Sequence, residues 1–306
     1  MKPEKLIVFL LTTVLLLAGI NTASLAKNQV IKLVCEYKTN PVGIDVKAPR
    51  LSWQISSDDN NVVQTAFEIR VADVVANLGK KDEMIWESGK VESDQSVNVV
   101  YDGPALKSMQ RVYWQVRVWD QNDKVTAWSD PAYWEMGILN EADWQASWIT
   151  SPDDFPEKAS PYLRKEFSVD KKVKSARIYA TALGLYELQL NGKKVGDQLF
   201  TPGWTSYNKR LQYQTYDVTK MLQAKNALGA VLGEGWYSGK IGWSGNQGYY
   251  GHNKALLAQL VINYTDGTSE TIGTDQNWKI SSGPILSSSI YDGENYDARL
   301  EQDGWD

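Results

Sequence analysis

The sequence predicts an all-β protein made of two tandem β-sandwiches that follow an export signal. Three observations support this architecture. Short runs in which apolar and polar residues alternate recur along the chain, turn-forming dipeptides separate them, and a proline-rich stretch divides them into two groups. The 306 residues suffice for two domains of ordinary size.

The first 26 residues have the parts of an export signal. Lys2 and Lys5 give a positive start, and an apolar stretch, Leu6–Ile20, follows. This stretch is shorter than the roughly 20 residues of a comfortable membrane span. Ser24 and Ala26 are small residues where signal peptidase prefers them, so we expect cleavage after Ala26 and a periplasmic or secreted protein free of the membrane. An uncleaved membrane anchor is the alternative.

The first group of strand patterns lies in residues 27–140. The clearest is Tyr113–Trp119, where Trp114, Val116 and Val118 face one way and the intervening residues the other. Such alternation is typical of a half-buried antiparallel strand. The other strand-like runs are Arg50–Ile55 and Ala66–Ala72. Several short strands over about 100 residues predict a sandwich of immunoglobulin or fibronectin type III-like form.

A linker is predicted at residues 141–162, because its prolines cannot donate hydrogen bonds to a strand ladder. Residues 163–306 then predict a jelly-roll-like sandwich that we expect to be cut short at its C-terminal end. Only Asp217–Gln223 is predicted to be helical, with Asp217 or Thr219 as its cap. The strand-like runs are Leu163–Phe167, Ala176–Ala180, Tyr186–Leu190, Ala227–Leu232, Leu256–Ile262 and Trp278–Ile280, with turns at Asn191-Gly192 and Asp266-Gly267.

Composition excludes several classes of site. The single cysteine, Cys35, permits neither an intrachain disulfide nor a cysteine metal site, and it is expected to be buried. The single histidine, His252, excludes clusters that need two, and we expect it to be a surface residue. A net charge of −5 without a basic stripe argues against nucleic acid. No cofactor or metal is predicted.

Several motifs together resemble the N-terminal, non-catalytic portion of bacterial α-L-rhamnosidases. In the first sandwich they are Cys35–Tyr37, Asn40–Asp45, Pro49–Trp53, Trp86–Val91, Ser93–Ser96, Tyr113–Asp120, Trp128-Ser129, Trp134–Gly137 and Trp144–Ile149. In the second they are Leu190–Gly192, Pro202–Thr205, Tyr213, Tyr216–Thr219, Gly233–Tyr237, Tyr291–Glu294 and Tyr296–Arg299. The resemblance covers nearly all of the chain after the export signal.

This resemblance implies inverting hydrolysis of terminal α-L-rhamnosides by an (α/α)₆ barrel absent from these 306 residues. Such chemistry needs an acid and a base about 6.5–9.5 Å apart on opposite sides of the sugar. The chain would pack on the barrel of the same polypeptide and shape a pocket for a rhamnosylated glycan, and alone it would be inactive. A free-standing carbohydrate-binding or adhesion module is the alternative hypothesis.

A glycine-rich loop, Gly233–Gly245, is the main candidate site. Glycines let a long loop approach another surface closely. Its candidate residues are Glu234, Trp236, Tyr237 and Trp243, and in a second loop Trp204, with Tyr207 nearby, could also form a sugar platform. They predict sugar stacking, an interface with the barrel, or plain loop packing, and these alternatives stay open.

Asp292, Glu294 and Asp297 form the densest acidic cluster near a strand pattern. On one strand Asp292 and Glu294 would share a face at about 7 Å, but parallel side chains cannot flank a glycosidic bond. We therefore expect a structural or interface role, with Arg299 as an ion-pair partner, rather than catalysis. The calcium-dependent rhamnose site of some rhamnose-binding sandwiches of this kind is not expected, because Thr181–Tyr186 offers no carboxylate or amide where it would lie.

Overall fold

The computed structural model describes residues 28–242 and 245–306. The predicted export signal and the candidate Trp243 lie outside the described residues. Two compact units are present. The first comprises the described residues up to Pro41, Ala48–Ala105 and Arg111–Trp134, and the second comprises Val42–Lys47, Leu106–Gln110 and Glu135–Asp306.

The first unit is built from short antiparallel strands. The first nine strands of the chain are β1 (Asn28–Cys35), β2 (Val42–Ile44), β3 (Arg50–Ser57), β4 (Gln64–Ala72), β5 (Trp86–Glu87), β6 (Val91–Glu92), β7 (Val99–Val100), β8 (Arg111–Asp120) and β9 (Ala132–Met136). One sheet has the order β1-β3-β7, and in the other β4 pairs with β8 on one edge and with β5 and β6 on the other. β2 belongs to the second unit, where it pairs in parallel with the end of β9.

Large aromatic side chains fill the core of this unit. Trp114 and Trp134 are fully buried and meet edge to face, with ring centroids 6.4 Å apart, and Tyr101 packs on Trp134. Along β8 the predicted alternation is confirmed, since Trp114, Val116 and Val118 are buried. Two sheets of short strands around one aromatic core make the immunoglobulin-like sandwich that the sequence predicts.

The second unit contains most of the remaining strands. They are β10 (Ile149–Thr150), β11 (Pro161–Ser168), β12 (Val173–Leu183), β13 (Leu185–Leu190), β14 (Lys193–Lys194), β15 (Gln214–Asp217), β16 (Lys225–Gly233), β17 (Lys240–Ile241), β18 (Asn246–Gln247), β19 (Ala255–Tyr264), β20 (Ser269–Gly273), β21 (Lys279–Ser282), β22 (Ile285–Ser289) and β23 (Gly293–Tyr296). A one-turn helix, α1, spans Gly235–Ser238, and 3₁₀ turns span Val75–Asn77, Glu141–Asp143 and Ala298–Leu300.

Two five-stranded sheets form this second sandwich. One has the order β10-β19-β12-β15, with β20 also on β19, and the other has the order β14-β13-β16-β11-β21. Both sheets contribute to one core, in which Ile178 and Leu260 come from the first sheet and Leu188 and Leu228 from the second. The predicted strands are confirmed because alternate residues of each run enter this core.

Turn geometry follows the dipeptides. Asn191 and Gly192 both have positive φ, 55° and 74°, and connect β13 to β14. At the second predicted turn only Gly267 has positive φ, 85°, between β19 and β20. The side chain of Asp266 instead accepts hydrogen bonds from the backbone N–H and the hydroxyl of Thr268.

The helix predicted at Asp217–Gln223 is wrong. Asp217 is the last residue of β15 and pairs with Arg177 across the sheet. Its carboxylate accepts hydrogen bonds from the N–H and hydroxyl of Thr219, which closes a turn instead of capping a helix. The cross-strand pairing therefore overrides the local helical preference.

The segment predicted as a linker, residues 141–162, contains regular structure. Ile149 and Thr150 form β10 and pair with Leu256 and Ala255 of β19. Among the described residues, no helix is both long and apolar enough to cross a membrane.

Candidate functional site

Two loops of the second sandwich bring aromatic rings together, of which Phe200, Trp204 and Tyr249 are exposed and the others are partly buried. One loop connects β14 to β15, and the other connects β16 to β19. We call the resulting group the aromatic cluster, and its members are Phe200, Trp204, Tyr207, Trp236, Tyr237, Tyr249 and Tyr250. The structure thus joins four sequence-predicted candidates, Trp204, Tyr207, Trp236 and Tyr237, in one place.

The indole rings of Trp204 and Trp236 lie parallel. Their planes differ by 6° and their centroids are 5.8 Å apart, an offset-stacked arrangement. Phe200 packs obliquely on Trp236, with ring centroids 6.1 Å apart. Trp204 is 52% exposed and Phe200 59% exposed, so the stack presents a large apolar surface to solvent.

Hydrogen bonds among partly and fully buried polar groups fix the loop between β14 and β15. The side chain of Gln214 donates to the Pro202 carbonyl at 3.1 Å, and its amide oxygen accepts from the Tyr186 hydroxyl at 2.7 Å. The Thr201 hydroxyl donates to the Tyr186 carbonyl at 2.7 Å. Burial, with Tyr216 nearby, raises the pKa of Tyr186, so its hydroxyl stays a donor. These bonds fix Thr201 and Pro202, and Trp204 follows Pro202 by two residues.

Helix α1 places Trp236 and Tyr237 in the second loop. It begins at Gly235, whose φ is +54° and whose backbone lies against Leu185, where an added Cβ would come within 2.6 Å of that side chain. The ring of Tyr237 meets Tyr207 edge to face, with centroids 5.4 Å apart. A glycine is therefore needed for this loop to turn against the sheet end and present its aromatic residues.

Glu234 lies beneath the surface rather than on it. Glu234 is 8% exposed, and the side-chain amide of Gln247 donates to its carboxylate at 3.4 Å. Burial raises the pKa of Glu234, while nearby Lys254 acts in the opposite direction. Burial disfavours the charged form of Lys254 as well, which lowers the pKa of this lysine. Its ammonium donates to the Glu157 carbonyl at 3.0 Å. Glu234 therefore supports the loop from inside, and it offers little surface to a sugar or another domain.

The acidic candidates lie on the hairpin formed by β22 and β23. Asp292 is in the turn, not on a strand, so the predicted shared face with Glu294 is wrong. Asp292 forms an ion pair with Lys240 at 2.6 Å, and Asp297 forms two hydrogen bonds with the Arg299 guanidinium. Arg299 thus pairs with Asp297, which lowers the pKa of this carboxyl. Lys240 joins the hairpin to the glycine-rich loop.

Three members of the aromatic cluster were missed by sequence reasoning: Phe200, Tyr249 and Tyr250. Phe200 has a positive φ of 56°, which no local pattern signals. The adjacent tyrosines at 249 and 250 stand in a run with His252, which is exposed as predicted. Within the described residues there is no group of three or more His, Cys, Asp or Glu side chains that could hold a metal ion.

Comparison with known proteins accounts for both sandwiches. Residues 30–140 match the Rha78A-like, N-terminal immunoglobulin domain, and residues 171–306 match the alpha-L-rhamnosidase N-terminal domain. Both sandwiches are N-terminal domains of the α-L-rhamnosidase family. The resemblance seen in the motifs is confirmed, and the matched parts are the family's N-terminal domains.

Relatives extend well beyond this region. An α-L-rhamnosidase of Alteromonas sp. (strain LOR) is 40% identical over 280 residues, covering 87% of this chain and 30% of the relative. One of Formosa agariphila is 36% identical over 302 residues, covering 90% and 32%. The crystal structure of Streptomyces avermitilis α-L-rhamnosidase complexed with L-rhamnose matches with a TM-score of 0.86 and 29% identity, covering 91% and 43%. The chain spans about a third of the length of these curated relatives.

Proposed function

We propose that the chain is the accessory N-terminal region of an exported α-L-rhamnosidase that hydrolyses terminal α-L-rhamnosides of plant or microbial glycans. The observation that carries this proposal is the match of both domains, in order, to the N-terminal region of α-L-rhamnosidases. In this proposal a catalytic (α/α)₆ barrel of the same polypeptide supplies the general acid and base. The chain packs on that barrel and shapes its pocket.

The arrangement of carboxylates supports an accessory role. Asp292 and Asp297 are each held by a cation, Lys240 and Arg299 respectively. Glu294 is exposed on the outer surface of the hairpin. An inverting pair must face a sugar from two sides across about 6.5–9.5 Å. Of the three, only Asp297 lines the groove beside the hairpin, so no two of these carboxylates face each other across it.

Turnover of 4-nitrophenyl α-L-rhamnoside tests whether hydrolysis requires the catalytic barrel in addition to this chain. We expect none from the chain alone and clear turnover from the polypeptide encoded by the complete reading frame. Turnover by the chain alone that disappears in Glu294→Gln would contradict the proposal. A native stop codon directly after the codon for Asp306 would contradict it independently.

Export is part of the proposal and is supported by residues 1–26, which combine a positive start, an apolar run and small residues before position 27. Expression in a bacterium with a periplasm, followed by N-terminal sequencing of the exported protein, tests it. We expect the mature chain to begin at Lys27 and to be free of the membrane fraction. Recovery of an intact N-terminus in the membrane would favour an anchor instead.

The stacked pair Trp204 and Trp236 favours one second candidate, a carbohydrate-binding module. Exposed indole faces pack well against the apolar faces of sugar rings. Titration calorimetry with rhamnose and rhamnosylated glycans should then show binding that Trp236→Ala removes. Trp148→Ala is the matched control, because Trp148 is 43% exposed and lies outside the aromatic cluster. Absence of heat with every sugar would eliminate this candidate.

A further inference from the structure

The hairpin of β22 and β23 stands apart from the two sandwich sheets. Among the described residues, its strands pair only with each other. Ile285 pairs with Tyr296, and the ladder continues from the pair of Ser287 and Asn295 to the pair of Ser289 and Gly293. An isolated two-stranded hairpin is at best marginally stable in water and normally needs packing on one face. The hydrogen-bond ladders of the two sandwich sheets therefore do not stabilise this hairpin.

Apolar side chains of the hairpin face solvent. Leu286 is 43% exposed, Tyr291 55% and Tyr296 50%, and Ile290 and Leu300 are also exposed. All four residues of β23 are exposed. A group of exposed apolar side chains rimmed by polar residues marks an interaction surface. We call these five apolar residues the hairpin face.

Several contacts hold the hairpin face in place. The N–H of Ser160 donates to the Ile285 carbonyl at 3.0 Å and ties the open end of the hairpin to the segment before β11, while the N–H of Asp297 donates to the Pro284 carbonyl at 2.9 Å and closes that end. At the other end, Lys240 pairs with Asp292, and the N–H of Gly242 donates to the Tyr291 hydroxyl at 3.2 Å. The hairpin is thus fastened at both ends, which leaves its apolar side chains presented outward.

An open groove runs along this surface. Leu286 and Tyr296 supply apolar walls, and Lys158 and Arg299 stand among its lining residues. The Arg299 side chain is 88% exposed, although its guanidinium is paired with Asp297. Ser287, Asn295 and Asp297 also line the groove, so it combines apolar side chains with hydrogen-bonding groups, as the surfaces between protein domains do.

The family relationship identifies the occupant. The hairpin lies within residues 171–306, which match the family domain, and about two-thirds of the length of each relative lies outside the part that this chain matches. We propose that the hairpin face docks on the catalytic domain of the α-L-rhamnosidase polypeptide and that this contact stabilises the hairpin further. The proposal rests on the proposed function and assigns it a specific contact surface.

Hydrogen–deuterium exchange tests this contact in two contexts, the chain alone and the complete enzyme. If the reading frame encodes no further domain, the chain can replace the matched region of the Alteromonas enzyme. We expect the amides of residues 285–296 to exchange at least about tenfold more slowly in the complete enzyme, because docking suppresses local opening. Unchanged exchange in an enzyme that turns over an aryl α-L-rhamnoside would overturn the docking proposal and leave the proposed function standing.

A double variant, Leu286→Ser with Tyr296→Ser, separates docking from folding. Both side chains are half exposed, so the variant should leave the unfolding midpoint of the chain alone nearly unchanged. In the complete enzyme it should remove the added protection of residues 285–296. Tyr37→Ser is the matched control, since Tyr37 is 64% exposed in the first unit, and it should preserve that protection. Equal protection in the double variant would also overturn the proposal.

Discussion

Arg177 and Glu135 form a buried ion pair with two parallel hydrogen bonds. The Nε of Arg177 donates to Oε1 of Glu135 at 2.8 Å, and Nη2 donates to Oε2 at 3.2 Å. Both side chains are almost completely buried. Glu135 lies on β9, and Arg177 lies in the middle of β12. Removing one partner would leave the other charge buried without its principal counterion.

We therefore expect Arg177→Met to lower the free energy of unfolding by about 3 kcal/mol, measured by urea denaturation. The matched control is Lys194→Met, which breaks the exposed pair of Lys194 and Glu187. Solvent screens that pair, so its loss should cost at most about 1 kcal/mol. Equal losses of unfolding free energy in the two variants would contradict the argument that burial makes the Arg177–Glu135 pair the more important one.

Gly184 connects β12 to β13 with a φ of +120°, and an added Cβ would lie 2.5 Å from the Gly233 carbonyl oxygen. Gly184→Ala combines an unfavourable backbone conformation with a backbone clash, so we expect a loss of about 3 kcal/mol in unfolding free energy. Gly192→Ala has a φ of +74° and no atom within 4 Å of the added Cβ, so it should lose only about 1 kcal/mol. Thermal denaturation of both variants is the measurement, and a larger loss for Gly192→Ala would contradict the steric argument.

Cys35 is the single cysteine of the chain and is buried in the first unit. Burial, with a smaller effect of Glu36, raises the pKa of its thiol to about 12. Because the thiolate is the reactive form, we expect no reaction with a disulfide reagent at pH 8 in the folded protein. One thiol per chain should react after denaturation in urea. Rapid labelling of the folded protein would show that the thiol is accessible.

Asp266 gives a prediction for acid stability. Hydrogen bonds from the Thr268 side chain and backbone, together with Lys171, lower the pKa of Asp266 to about 2. A depressed folded-state pKa means that the carboxylate stabilises the fold above its unfolded pKa of 3.8, and that this contribution is lost as pH falls through about 2. The thermal midpoint of Asp266→Asn should therefore lie below that of the unchanged chain at pH 5–7, with the gap closing between pH 4 and pH 2.

The companion variant Thr268→Val removes the hydroxyl donor and keeps a side chain of similar size. We expect it to raise the pKa of Asp266 toward 3.8, so that the gap between the unchanged chain and Thr268→Val also narrows on acidification. Titration of the Asp266 carboxyl by NMR checks this directly. An unchanged pKa in Thr268→Val would assign the shift to Lys171 and the backbone instead.

Most strands could be predicted from sequence because their signal is local. In the run Tyr113–Trp119, side chains at every second position enter the core, and the same period is visible in the printed residues. The hairpin turn at Asn191-Gly192 was predictable for the same reason, since few residues tolerate positive φ. The helix predicted at Asp217–Gln223 failed because Asp217 pairs with Arg177, which is distant in sequence.

The candidate site was predictable only in part. Trp204, Trp236 and Tyr237 stood in glycine-containing loops and could be chosen by composition, but their partners Phe200 and Tyr250 could not. Glu234 was chosen from the same glycine-rich loop as a surface candidate, but in the structure both it and Lys254 are buried. Whether a loop residue faces solvent depends on the strands that its loop connects, and a short window does not contain that information.

Residue order alone was thus sufficient for the strands, the tight turns, the export signal as a prediction, and the family resemblance. Each depends on neighbours within a few positions or on short motifs. The meeting of Trp204 with Trp236, the pairing of Asp292 with Lys240, and the isolation of the β22–β23 hairpin were decided by the tertiary structure. The reason is that sheet order brings loops from distant parts of the chain to the same end of a sandwich, and no local periodicity encodes that order.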